Sequence, residues 1–310
     1  MKAVLGVLAK RLASLALLLV ALTALLFFML RATADQALVI AGPDATAGQL
    51  AEIRAAYGLD RPLPAQFASY VADLARLEFG DSIVSGQPAT AEVGARLWAT
   101  VALAFAGMGL TIAIAIPLGA WLGARPWTTG RRGVAALVFV LQGTPGFVVA
   151  LLLVQLFAVQ LKWLPFIGYG DFASWIMPTL TLASFLAPKL TRVVAANVQA
   201  ALAEDHIRTA RANGATFTTI YWRHALPNAL LGATALLGTQ FAFLLSGSVI
   251  TESIFAWPGI GTLLIRSIQN ADFAVVQAVA LAIAVLVFSV NALTEALFQV
   301  LDPRLRRAER

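Results

Sequence analysis

Six apolar runs, each free of Asp, Glu, Lys and Arg, constrain this chain more than any other feature: Leu12 to Leu30, Leu97 to Ala124, Val134 to Leu161, Phe172 to Ala187, Ala229 to Ile250 and Phe273 to Thr294. A helix needs roughly 20 such residues to cross about 30 Å of hydrocarbon. Five runs are long enough. The fourth contains Pro178 and stops at Pro188-Lys189, and it reads as a short or kinked span that continues into a polar helix. With 60% hydrophobic and 12% charged residues and a mean hydropathy of +0.82, the chain has too little polar surface to cover a soluble globule of 310 residues. The expected fold is an all-α integral membrane protein of six transmembrane helices.

The basic residues orient these spans. Fifteen of the 22 fall in segments that alternate to one side: Lys2, Lys10 and Arg11, then Arg125, Arg131 and Arg132, then Lys189, Arg192, Arg208, Arg211 and Arg223, then Arg304, Arg306, Arg307 and Arg310. The other side carries seven basic residues and 11 acids, so both termini are expected in the cytoplasm. The net charge of +6 is thus a topology signal. No basic stripe with interleaved aromatics is present, which argues against nucleic acid as a partner. An alternative for the N-terminus is a cleaved signal peptide, since Ala32-Thr33-Ala34 fits a peptidase site. The first run is longer than a signal h-region, so a retained anchor is expected.

The boundaries expected from this reading are a tail over 1–11, a first span over 12–30, an outer loop or cap over 31–96, a five-helix core over 97–301 and a basic tail over 302–310. The cap holds a candidate amphipathic helix near Gln49 to Tyr57, a turn at Pro62 to Pro64, and a second helix near Gln66 to Leu77.

Several chemistries are excluded. There is no cysteine, hence no disulfide, thiolate metal site or cysteine nucleophile, and the two histidines, His206 and His224, are too few for a histidine metal centre without carboxylate help; Glu204 and Asp205 adjoin His206, but adjacent residues on a helix point apart, so a solvated helix end is expected there. No phosphate-cradling Gly-x-x-x-x-Gly-Lys-Ser/Thr string occurs, so ATP must be hydrolysed elsewhere. Within the runs the polar residues are uncharged; Gln142, Thr144, Thr239, Gln240, Ser246 and Asn291 are the pore candidates. The absence of charge near mid-bilayer argues against proton coupling. The glycines of the second and fifth runs (Gly107, Gly109, Gly119, Gly232, Gly238) are expected to permit close helix packing.

The stretch from Asp205 to Leu230 is polar amid apolar runs. Ala203 to Asn213 reads as a helix stopped at Asn213-Gly214, with Gly214 in a left-handed cap. Thr216 then caps a second short helix, on which Phe217, Ile220, Tyr221 and His224 share one face, and Pro227 is expected to end it. Between 251 and 272, Trp257 suits an interfacial aromatic belt and Pro258-Gly259-Ile260-Gly261 reads as a turn.

These residues carry a family resemblance. The spacing Ala210, Gly214, Leu226-Pro227, with Arg208-Thr209-Ala210-Arg211-Ala212 and Trp222-Arg223-His224-Ala225-Leu226, resembles the cytoplasmic coupling loop of permease subunits of ATP-binding-cassette importers, in their dipeptide, oligopeptide and nickel branch. The likeness extends to Gly58-Leu59-Asp60-Arg61-Pro62-Leu63-Pro64, Gly80-Asp81, Glu252 to Gly261 and Leu301-Asp302-Pro303-Arg304. It departs at Arg31 to Gln36, where the family usually carries Pro-Gly-Asp-Pro.

The resemblance implies a type I importer transmembrane domain in the bacterial inner membrane, with no catalytic or cofactor site of its own. Its implied partners are a second related permease, two ATPase subunits that bind ATP and Mg, and a periplasmic substrate-binding protein. The coupling loop, 203–228, would act through Arg208, Thr209, Ala210, Arg211, Gly214, Phe217, Ile220, Tyr221, Arg223, His224, Leu226 and Pro227, its arginines meeting acidic rims and Phe217, Ile220 and Tyr221 filling an apolar groove. Glu252, Phe255, Trp257, Pro258, Gly259 and Gly261 would form a periplasmic lip. The competing classes are a stand-alone carrier or channel, a membrane-embedded enzyme and a scaffold.

Overall fold

The computed structural model describes residues 2–33, 35–42, 44–124 and 128–301; the expected 302–310 tail, Arg125 and the last residue of the Ala32-Thr33-Ala34 site lie outside the described residues. Fourteen helices follow in order among them: α1 (Lys2–Thr33), α2 (Gln36–Ala41), α3 (Ala47–Ala56), α4 (Leu63–Ala75), α5 (Ala89–Gly123), α6 (Thr129–Gly143), α7 (Gly146–Leu153), α8 (Phe172–Ala203), α9 (Asp205–Ala212), α10 (Phe217–Ile220), α11 (Leu226–Gly247), α12 (Val249–Ile254), α13 (Ile260–Gln269) and α14 (Phe273–Leu301). Wider π turns extend α7 over Val154–Gln160 and α10 over Tyr221–Ala225. Four helical stretches are long and apolar enough to cross a membrane: Arg11–Met29, Ala89–Gly123, Phe217–Ile254 and Phe273–Ala296.

The third apolar run is not the single helix expected. It breaks between α6 and α7, which meet at 103°, and counts as a fifth span only if the bent pair is taken together. The cause is local: Pro145 can donate no backbone hydrogen bond, it drives Thr144 into an extended conformation (φ −86°, ψ 124°), and Gly143 and Gly146 flank the pair. The fourth run does continue, as expected, into a 32-residue helix; α8 passes through both Pro178 and Pro188.

The chain divides into two compact units, residues 1–98 with 262–286 and residues 99–261 with 287–310. In the first, Phe27 and Phe28 of α1 pack on Phe67 and Tyr70 of α4, at centroid separations of 5.1 to 5.8 Å. The Arg31 guanidinium lies 3.7 Å from the centre of the Phe27 ring, and its Nε donates to Gln66 Oε1 at 2.9 Å. Burial pushes the Tyr70 phenol up to about 12, against the pull of Arg31. Asp35 caps α2 and pairs with Arg54 at 2.6 Å, a hydrogen bond that holds its carboxyl below the usual range. Thr46 and Gln49 form a reciprocal capping box at α3. None of the α3 residues is buried, so the expected amphipathic helix has no buried face. Pro62 to Pro64 is less a turn than the start of α4, because proline fits the first helical turn, whose N–H groups have no partner. Ser82 donates to Asp272 at 2.5 Å, tying residues 190 apart.

The second unit is built on α8. Its Leu190, Val194 and Val198 form a core with Ala115 and Ala120 of α5, Tyr221, and Leu226, Ala229 and Ala233 of α11. Close approach of α5 requires Gly119 and Gly123: a Cβ on either would lie 2.6 Å from a carbonyl oxygen of α8, Thr191 and Ala195 respectively. Gly107, Gly232 and Gly238 are likewise overhung by neighbours, whereas Gly109 faces open space and is not the packing glycine expected.

Candidate functional site: a two-helix loop and a buried carboxylate knot

Helix α8 stops where Glu204 turns extended, and α9 begins at once. Asp205 in the first turn of α9 and Arg211 in its last suit the helix dipole. Its C-terminus closes as a Schellman motif, with Ala215 N donating to Ala210 O (3.1 Å) and Gly214 N to Arg211 O (3.1 Å). Gly214 takes φ +82°, as the sequence requires. Thr216 caps α10 by accepting from Thr219 N.

Two expectations about this loop are corrected. Pro227 does not end the second helix. The π turn over Tyr221–Ala225 shifts the hydrogen bonding so that Leu226 N reaches Tyr221 O, and Pro227 then sits in the first turn of α11, where it lacks no needed donor. The anticipated apolar face is also divided. Ile220 and Tyr221 are buried, Tyr221 in the core around α8, so they anchor the loop and cannot fill a partner's groove. Ile207 does the same from α9, and Leu226 is buried at the head of α11.

The exposed set is different: Arg208, Thr209, Arg211, Gly214, Phe217 and Arg223, with Ala210 and His224 half-buried. To these the structure adds Trp222, 63% exposed and edge-on to Tyr221 at 5.3 Å. Sequence reasoning missed Trp222 as a contact residue, although a tryptophan flanked by Tyr221 and Arg223 in a polar loop was a usable signal. The two histidine rings face each other at 6.5 Å, and His206 Nδ1 lies 3.0 Å from Glu204. Arg208 reaches Asp205 at 3.3 Å across an exposed turn.

Of the residues expected at the periplasmic lip, Glu252, Phe255, Trp257, Gly259 and Gly261 are buried and Pro258 is half-buried, while Ser253 and Ala256 between them are exposed. Glu252 is wholly buried: Thr100 Oγ1 (2.7 Å) and Ser248 Oγ (3.0 Å) donate to Oε1, and Gly261 N donates to Oε2 (2.8 Å). Thr100 Oγ1 in turn accepts from Ile260 N at 2.9 Å. Cβ atoms at Gly259 and Gly261 would lie 2.3 and 2.8 Å from Glu252 Oε2, so the glycines exist to let the chain close on the carboxylate. Trp257 is 0% exposed, donates its indole N–H to Ala99 O (2.9 Å) and meets Tyr169 and Trp175 edge-on. It is a core residue and not part of an interfacial belt, because a buried indole N–H needs a partner and finds it on α5. Phe255 is buried against Ala150 and Met177.

Among the pore candidates, Gln142, Thr239 and Ser246 are exposed and Thr144 is half-buried. Thr144, Thr239 and Ser246 donate to carbonyls of their own helices, which satisfies them locally. Gln142 accepts from Arg192 at 2.7 Å, and Gln240 and Asn291 are half-buried.

Residues 115–307 match the family described as "Binding-protein-dependent transport system inner membrane component", and residues 4–104 match its N-terminal companion. The chain is 35% identical over 295 residues, 94% of each sequence, to the glutathione transport system permease protein GsiC of Salmonella typhi. It is 34% identical to that of Escherichia coli (strain K12), over 88% of this chain and 89% of the other. Among solved structures, an inward-facing MetNI methionine ABC transporter aligns with a TM-score of 0.56 and 21% identity, covering 68% of this chain and 96% of its own. An amino acid ABC transporter aligns at 0.53 and 19%, covering 69% and 94%.

Proposed function

The chain belongs to the inner-membrane components of binding-protein-dependent transport systems, the permease subunits of ABC importers, and on that premise we propose that it imports a small peptide of the glutathione class through a pore shared with a second, related permease. Two cytoplasmic subunits bind and hydrolyse ATP with Mg, and a periplasmic binding protein delivers the solute. In the proposed topology the bent pair and the first part of α8 are counted with the four long apolar helices as six spans, and both termini and the loop 203–228 are cytoplasmic.

The observation that carries the mechanism is the division of the loop. Ile207, Ile220 and Tyr221 lock it into the core that α8 and α11 share, while Arg208, Arg211, Phe217, Trp222 and Arg223 point outward. A contact made on the exposed face is therefore passed as a rigid displacement to two long helices. Coupling follows when the ATPase dimer holds that face differently in its open and closed states. The Glu252 knot supplies the opposite requirement, a fixed brace between α5, α12 and the head of α13.

Co-expression with a second permease, the two ATPase subunits and a binding protein tests the reading. The purified complex should hydrolyse ATP faster when the binding protein is loaded with glutathione than when it is empty, and the isolated chain should hydrolyse none. Robust hydrolysis by the isolated chain, or a complex indifferent to the loaded binding protein, would overturn it.

A further inference from the structure

Between α6 and α8 lies a groove of about 720 Å³ that the transport reading does not use. Three cations line it, Arg132 from α6 and Lys189 and Arg192 from α8, together with the amides Gln142 and Gln199; no carboxylate is among its lining residues. The rest of its lining is apolar, the buried Val138 included, and Phe139 stands at its exposed edge. Arg192 donates to Gln142 Oε1 at 2.7 Å, and its guanidinium carbon stands 5.6 Å from the Phe139 ring centre. Three exposed cations around one concavity with no acid in its lining make a patch of positive potential that attracts an anion. Beside the groove, α6 exposes Leu137 (59%), Phe139 (65%) and Val140 (63%), side chains that water would not tolerate as a patch but acyl chains would cover.

We propose that this groove binds the phosphate headgroup of an anionic phospholipid of the inner leaflet, with the phosphate held by Lys189, Arg192 and Arg132 and the chains lying over the exposed apolar residues of α6. Basic pockets between membrane helices on the cytoplasmic side take such headgroups. A soluble anionic peptide would use the cations but would have no use for the adjoining apolar face, which is why the lipid is favoured. The leaflet rests on the cytoplasmic orientation proposed above; headgroup selectivity is read without reference to it.

The test is native mass spectrometry of the delipidated complex with its partner subunits, titrated with dioleoyl phosphatidylglycerol or dioleoyl phosphatidylcholine. The anionic lipid should be retained at least ~10-fold more tightly, and Arg132→Gln/Lys189→Gln/Arg192→Gln should abolish that preference. Lys189→Arg, which keeps the charge, should preserve it. Free glutathione at millimolar concentration should not displace the lipid. Equal retention of the two lipids, or full preference in the triple variant, would overturn the assignment; so would displacement by glutathione, which would give the groove to the transported solute. If the triple variant fails to assemble, the lipid comparison and the glutathione competition on the unmodified complex still decide.

Discussion

Gly214 has no neighbour within 4 Å of where its Cβ would stand, so only its φ of +82° demands glycine. Gly214→Val should therefore strain the loop by about 1–2 kcal/mol without any clash, whereas Gly214→Asn, a residue that visits the left-handed region, should be tolerated. In membranes, the valine variant is expected to insert normally and to lose ATPase subunits on purification or lose transport; wild-type transport would show that the cap does not matter. Gly261 is the converse case. Its φ is ordinary, but a Cβ would lie 2.7 Å from Val249 Cα and 2.8 Å from Glu252 Oε2. Gly261→Ala should lower the melting temperature of the detergent-purified protein. Glu252→Ala should lower it further, since the backbone N–H of Gly261 would be left buried and unpaired at a cost of about 1–3 kcal/mol. A Glu252→Ala protein as stable as the parent would mean that the knot is not a brace.

Within the element α10 and its π turn, burial separates neighbours that the sequence groups. Trp222 and Tyr221 are adjacent, yet one is exposed and the other buried at the core. Trp222→Ala should weaken ATPase-subunit retention while leaving the melting temperature of the isolated chain unchanged, as an exposed aromatic contact residue would; such anchors commonly contribute about 2 kcal/mol or more to binding. Tyr221→Ala should instead lower the melting temperature. If the two variants exchange phenotypes, the exposed face proposed for docking is wrong. Pro227→Ala should change little in either assay, because the helix already runs through that position.

At the scale of the whole molecule, the charge asymmetry gives a topology that single cysteines can check, since the chain has none. Asn213→Cys should resist an impermeant outside reagent in intact cells, and Gly48→Cys, in open space, should react. Gly261 is unsuitable as an outside reporter, because its surroundings admit no side chain. Labelling of Asn213→Cys from outside would overturn the orientation.

The apolar runs, the charge bias and the Asn213-Gly214 stop were enough to give a helical membrane protein, its expected orientation and the two short helices of the loop. These are local quantities: length against bilayer thickness, charge against sidedness, and a φ only glycine takes cheaply. The sequence did not reveal that Glu252 and Trp257 turn inward, because their partners, Thr100 and Ala99, lie more than 150 positions away. Nor did it separate Ile220 and Tyr221 from Phe217, since the period of a helix groups residues on a face without saying what covers it. The break at Pro145 was hidden by uniform hydrophobicity on both sides. What faces a partner, what faces lipid and what is buried are decided by which helices meet, and only the tertiary structure brings α5, α8 and α11 together.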